Sequence, residues 1–150
     1  MDKIIIYCDG GCRGNQNKEN VGGYGFTLRY KQHYREGSGG EINTTNNKME
    51  LKANIQALKC LKQFDIPVEV YVDSAYVLNG ITSWIEGWKK KNWRKSDKKP
   101  VENKELWIEL DNLKAKFKDI KWIKVKGHSG EDGNERADEL CNLEMDKLEW

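Results

Sequence analysis

Ile4-Ile5-Ile6-Tyr7-Cys8-Asp9-Gly10-Gly11 is the stretch on which the fold turns. Its unbroken apolar run reads as a buried strand over 4–9, stopped by the two glycines. A buried strand needs partners, and Val68-Glu69-Val70-Tyr71-Val72-Asp73 has the same form. Val68, Val70 and Val72 share one face, Pro67 precedes them, and an acid again stands at the end. If these two strands are parallel neighbours, Asp9 and Asp73 meet at one sheet edge, where open α/β sheets bind ligands.

Between them, Gly22 to Tyr30 alternates, with Phe26, Leu28 and Tyr30 on one face. A turn at Lys31-Gln32 leads to a second alternating stretch ending near Glu36, so an antiparallel hairpin is expected. A hydroxyl at Thr44 or Thr45 can cap a helix running to about Gln63, whose apolar stripe is Leu51, Ile55 and Leu58. After the strand ending at Asp73, Ser74 can cap a short helix to about Gly80. The segment 81–99 reads as irregular and basic. An amphipathic helix over 101–117 has Leu106, Leu110 and Leu113 in register. A strand follows over 120–125, then a loop over 127–133, then a helix from Asn134 to about Asp146. The order β-β-β-α-β-α-α-β-α excludes an all-parallel sheet, because the opening strands are joined by short turns. Helices between the later strands suit parallel crossovers. An α/β fold with a five-stranded mixed sheet flanked by helices follows.

At 150 residues the chain is long enough for one domain, 1–150, with one substantial core. A net charge of +2 hides segregation, because Lys and Arg concentrate between Lys89 and Lys99. Such a patch suggests a polyanionic partner, although charge alone equally describes a solvated loop. Cys8, Cys12, Cys60 and Cys141 form no C-x-x-C pair and have no zinc spacing to His33 or His128. They read as reduced thiols, and with no apolar run long enough to span a membrane the expectation is a cytoplasmic protein without membrane partners.

Two further acids stand near helix starts, Glu50 and Asp138. Each of the four has a bland use. Asp9 and Asp73 can accept turn amides, and Asp138 can oppose a helix dipole. Glu50 is harder to dismiss, because it shares a helix side with the small residues Ala53 and Ala57, where an uncompensated charge is costly. All four have places on one side of the same sheet edge, and four crowded carboxylates suggest a bound divalent metal. Oxygen-only ligands select Mg²⁺ or Mn²⁺.

These residues fall in Tyr7-Cys8-Asp9-Gly10-Gly11-Cys12-Arg13-Gly14-Asn15, Gly22-Gly23-Tyr24-Gly25, Thr44-Thr45-Asn46-Asn47-Lys48-Met49-Glu50-Leu51, Val72-Asp73-Ser74-Ala75-Tyr76-Val77, Gly80-Ile81-Thr82, Trp107, Val125-Lys126-Gly127-His128-Ser129-Gly130 and Asn134-Glu135-Arg136-Ala137-Asp138. In order and spacing they resemble bacterial-type ribonuclease HI over nearly the whole chain. The resemblance implies a ribonuclease H-like fold and a monomeric endonuclease that hydrolyses the RNA strand of RNA/DNA hybrids. It implies a two-metal-ion mechanism leaving 3′-hydroxyl and 5′-phosphate ends. Asp9, Glu50, Asp73 and Asp138 would hold two Mg²⁺ ions, or Mn²⁺. His128, on a loop beside them, would shuttle a proton or help product leave; an exposed loop residue is the other reading.

By the same resemblance the Gly11-Cys12 backbone, Asn15 and Asn46 approach the RNA strand. Thr45 and Asn103 hold a phosphate of the DNA strand, although both also suit helix capping. The segment Gly87 to Lys99 looks like the family's basic handle, in which Trp84 and Trp88 with Lys89, Lys90 and Lys91 grip the duplex backbone. The two tryptophans can equally form the handle's own small core. The chain departs from the pattern at Ala75, where many bacterial members have Gln, at Asn43, often basic, and in the polar loop over 16–20. No hybrid-binding module is expected before Met1, nor processivity from a second domain, and the start at Met1 favours a free enzyme over a piece of a larger polymerase-linked protein. Two rivals are a hybrid-binding module without activity, which would not need four clustered acids, and another metal nuclease such as an exonuclease, which could not open a circular hybrid.

Overall fold

The computed structural model describes residues 2–14, 19–125 and 132–149. Its single sheet has the strand order β3-β2-β1-β4-β5, built from β1 (Ile4–Arg13), β2 (Val21–Tyr30), β3 (His33–Ile42), β4 (Val68–Val72) and β5 (Ile120–Lys124). The first three pair antiparallel, whereas β1 with β4 and β4 with β5 pair parallel. The mixed five-stranded sheet expected from the sequence is therefore present.

Two layers of helix cover it. On one face, α1 (Asn46–Lys59) packs on β1 and β2 and is backed by α4 (Lys104–Ala115). On the other, α5 (Asp132–Leu148) crosses β2, β1 and β3. The short α2 (Ala75–Asn79) follows β4, then a π-helical turn (Gly80–Trp84) and α3 (Ile85–Lys90). The main core lies between the sheet and α1 and α4, around Ile6, Leu51, Ile55, Val70, Trp107 and Leu110, all nearly fully buried. Each such side chain contributes about 1.5–3 kcal/mol of transfer free energy. Val21, Cys141 and Met145 make a smaller cluster under α5. Among the described residues no helix is long and apolar enough to cross a membrane, and the four cysteines are unpaired.

Several boundaries differ from the sequence reading. β1 does not stop at Gly10-Gly11 but runs on to Arg13, with Gly10 opposite Tyr24 and Gly11 opposite Gly23. β3 extends past Glu36 to Ile42, paired throughout with β2. α1 ends at Lys59, where the Cys60 amide donates back to Ala57. The segment 81–99 is irregular only in its second half: 81–90 is helical, with Ile81 and Ile85 buried on the π-helical turn and α3, whereas 91–99 runs through turns.

Candidate active site and nucleic-acid interface

Cys8 pairs with Val72, so Asp9, within β1, and Asp73, the residue after β4, stand side by side. Glycines bring in the other two acids. A Cβ at Gly10 would lie 2.5 Å from the Glu50 backbone nitrogen, so only a glycine lets α1 approach β1 this closely. Gly25, opposite Asp9, does the same for the other layer: a Cβ there would lie 2.5 Å from the Ala137 carbonyl, one residue before Asp138. The acids thus converge from β1, α1, β4 and α5. Glu50 lies deepest and is buried, Asp9 is half-buried, and Asp73 and Asp138 are exposed at the rim.

Crowding changes their chemistry. Burial first, and then the hydrogen-bonded Asp138 carboxyl, push Asp9 up to about 7, with Asp73 adding to the effect and the Gly10 amide, which donates to Asp9 Oδ1 at 2.9 Å, opposing it. Burial, and then the Asp9 charge, hold Glu50 well above the usual carboxylate range. Glu50 Oε2 is buried with no hydrogen-bond partner, a costly state for an anion. An oxygen-only cluster of this kind fits a hard divalent cation, which would satisfy the orphaned oxygen. The carboxyls meet pairwise, Asp9 with Asp138 and with Glu50; no group of three among the described residues stands in a completed ligand array.

Around the acids lie the residues expected at a duplex. Gly11 and Cys12 are half-buried on the last paired stretch of β1. Thr45 caps α1 by accepting the Lys48 amide at 3.1 Å, and Asn46 is exposed beside it. Thr45 and Asn103, far apart in sequence, line one groove of about 850 Å³ with Lys48 and Lys52 and with the carboxylates Glu41, Glu102 and Glu105. Asn103 is not a side-chain cap. It stands in the left-handed region, φ 58°, makes no cap bond, and donates instead to the Tyr76 hydroxyl at 3.1 Å. Asn43 is likewise left-handed, φ 54°, a conformation Asn tolerates better than Lys or Arg.

The handle forms as a unit. Trp88 contacts Trp84, Trp93 and Trp107 at ring-centroid distances of 5.8, 6.0 and 5.4 Å. Trp88 is therefore half-buried core of the handle, while Trp84 is 40% exposed. Lys89 is tied across to Asp111 at 3.2 Å, and Lys90 and Lys91 are exposed. His128 and Asn15 lie outside the described residues. Two site contributors escaped the sequence reading. Lys48 enters the groove from the first turn of α1, a position its i+3 spacing from Thr45 could have disclosed. Asn54, fully buried, donates to the Glu50 carbonyl at 2.8 Å and accepts the Trp122 indole N–H at 2.9 Å; no local signal announces a partner 68 residues away.

Comparison with known proteins agrees with this fold. The sequence model of the RNase H family matches residues 1–145. A protein named Ribonuclease H from Ruthia magnifica subsp. Calyptogena magnifica is 49% identical over 99% of both chains. One of the same name from Clostridium botulinum is also 49% identical over 99% of both. Among solved structures, LC9-RNase H1, described as a type 1 RNase H with the type 2 active-site motif, superposes with a TM-score of 0.84 at 30% identity, covering 98% of this chain and 74% of that one. LC11-RNase H1 in complex with RNA/DNA hybrid gives 0.74 at 29%, covering 99% and 100%. A matched family model over nearly the full chain, on a fold that gathers the four acids, places this protein in the RNase H family.

Proposed function

We propose that the chain is a divalent-metal-dependent endonuclease that hydrolyses the RNA strand of RNA/DNA hybrids, leaving 3′-hydroxyl and 5′-phosphate ends. The observation that carries this reading is the orphaned, buried Glu50 Oε2 beside an Asp9 carboxyl raised to about 7. The family's named activity and the relative seen with RNA/DNA hybrid support the substrate. Asp9, Glu50, Asp73 and Asp138 would hold two Mg²⁺ ions, with Mn²⁺ a substitute. When bound, such ions acidify the attacking water and neutralise charge on the displaced oxygen.

The remaining roles belong to the chain. Gly11 and Cys12 offer backbone groups close to the duplex, and with Asn46 and Asn15 they would read the 2′-hydroxyls that distinguish RNA. Thr45, Lys48 and Asn103 would hold a phosphate of the DNA strand. Lys90 and Lys91 supply charge along the backbone, and His128 would move a proton or ease product release. The same reading has the chain act as a single-domain monomer in the cytoplasm, which its unpaired cysteines suit.

The test presents one labelled RNA strand alone, as double-stranded RNA, as linear hybrid or as circular hybrid, with Mg²⁺ or chelator. Metal-dependent cutting of the RNA in both hybrids, absent from a folded Asp73→Asn variant, is expected. Hybrid bound but uncut in either metal would replace this reading with a non-catalytic module, and cutting of the linear hybrid alone with an exonuclease.

A further inference from the structure

Tyr76 occupies a junction that the proposed chemistry does not use. Its hydroxyl accepts the indole N–H of Trp107 at 2.9 Å and the Asn103 carboxamide Nδ2 at 3.1 Å. Its ring is fixed by Trp84 at 5.9 Å and Trp107 at 5.3 Å. Trp107 in turn is fully buried and pressed against Gly80, where a Cβ would lie 2.0 Å from the indole. An indole N–H can only donate, so the Tyr76 oxygen accepts from Trp107, and it accepts from the Asn103 Nδ2 as well.

Asn103 shows the other half of the arrangement. An Asn at the residue before a helix ordinarily accepts an amide from the first turn. Here the side chain forgoes that bond and turns to Tyr76 while lining the groove it shares with Thr45 and Lys48. A carboxamide nitrogen carries two hydrogens. One is engaged by Tyr76, and the second remains for a ligand. Were the amide reversed, its carbonyl oxygen would take the place of a donor.

We infer that Tyr76 is a positioning residue for the nucleic acid: its hydroxyl orients the Asn103 carboxamide so that an N–H is presented to a phosphate in the Thr45–Lys48–Asn103 groove. The inference rests on the hybrid-cleaving reading. Tyr76 touches no reacting atom, so its loss acts on substrate binding and leaves the chemical step alone.

The experiment is steady-state cleavage of a hybrid by the full chain, comparing wild type, Tyr76→Phe, Asn103→Ala and the double variant, with near-ultraviolet circular dichroism to confirm folding. Tyr76→Phe should raise KM roughly five- to tenfold, the scale of one weakened hydrogen bond to a charged group, with kcat at saturation unchanged. In the Asn103→Ala background the same change should add nothing to KM. Folded Tyr76→Phe with wild-type KM, independent effects in the double variant, or a fall in kcat alone would overturn the inference. A second measurement needs no variant: the Asn103 side-chain amide protons in wild type, observed by NMR in chelator. Slow rotation about the amide bond keeps the two protons distinct, and a shift of one of them when hybrid is added is expected; two signals insensitive to hybrid would overturn it. Wild type that cuts no hybrid overturns the parent reading and this one with it, whereas cutting with an unchanged Tyr76→Phe KM overturns this one alone.

Discussion

Gly10 and Glu50 touch through their backbones: a Cβ on Gly10 would stand 2.5 Å from the Glu50 nitrogen and from the Met49 carbonyl carbon. Neither neighbour is a side chain that can swing aside. Gly10→Ala must therefore push α1 off β1, carrying Glu50 away from Asp9. Overpacking of this kind costs about 1–3 kcal/mol. A displacement of about 1 Å at the site can cost on the order of a hundredfold in rate. We expect a folded variant, several degrees less stable, whose cleavage falls far more than its melting temperature implies. Thermal melting and turnover on the same preparation check this, and near-normal turnover would show that Glu50 does not need this approach.

The same glycine explains where sequence reading succeeded and where it failed. Asp73 was legible because a strand end is a local pattern, Asp9 because it closes an apolar run although β1 continues past it, and Glu50 because Ala53 and Ala57 mark the side of α1 that faces the sheet. Gly10-Gly11 was misread as a stop. Two glycines after an apolar run look alike whether they end a strand or admit a helix, and only the packed helix decides. Asn54 with Trp122, and Lys89 with Asp111, are long-range pairs without local periodicity. The handle was legible in composition, but the burial of Ile81 and Ile85 that makes it helical depends on the core beneath it.

The raised Asp9 carboxyl predicts how metal-free protein responds to pH. Its value, about 7, lies above the ordinary 3.8, so the folded state holds this proton more tightly than the unfolded chain. The associated stability is fully present below about pH 4 and is lost as pH rises through about 7. Asp9→Asn removes that loss. In chelator the variant should melt higher than wild type at pH 8, on the order of 5 °C, and this advantage should shrink towards pH 4. Mg²⁺ should raise the wild-type melting temperature at pH 8 by binding linkage and have little effect on the variant. A difference independent of pH would show that Asp9 is not held protonated by its neighbours.

Asn54 ties the turn of α1 that carries Glu50 to β5 through Trp122. Asn54→Leu keeps the volume but leaves the buried Trp122 N–H without its acceptor, a loss of about 1–3 kcal/mol. Turnover of the folded variant should fall modestly, several-fold, since Glu50 retains its helix and its contact with Gly10. Denaturant unfolding and turnover separate the two effects. A neutral change in stability would mean that Trp122 finds another acceptor.

The three handle lysines are not equivalent. Lys89 is held by Asp111 at 3.2 Å and lies 3.7 Å from Glu86, so its charge is already opposed by carboxylates. Lys90 ends α3 and Lys91 follows it, both exposed, and Asn92 and Trp93 then turn the chain in the left-handed region, φ 56° and 61°. Each phosphate neutralised contributes about 0.9 to the slope of log affinity against log salt on duplex DNA, and a similar increment is expected for a hybrid. Replacing Lys90 and Lys91 together by Gln should therefore flatten the slope by nearly 2 and raise KM at moderate salt, with kcat at saturation preserved. Lys89→Gln should flatten it less than either single change and lower the melting temperature instead, because it frees Asp111 on α4. Equal slope changes for all three would mean that the Asp111 pair opens when the duplex binds. A slope untouched by the Lys90 and Lys91 changes would remove the handle from the binding surface.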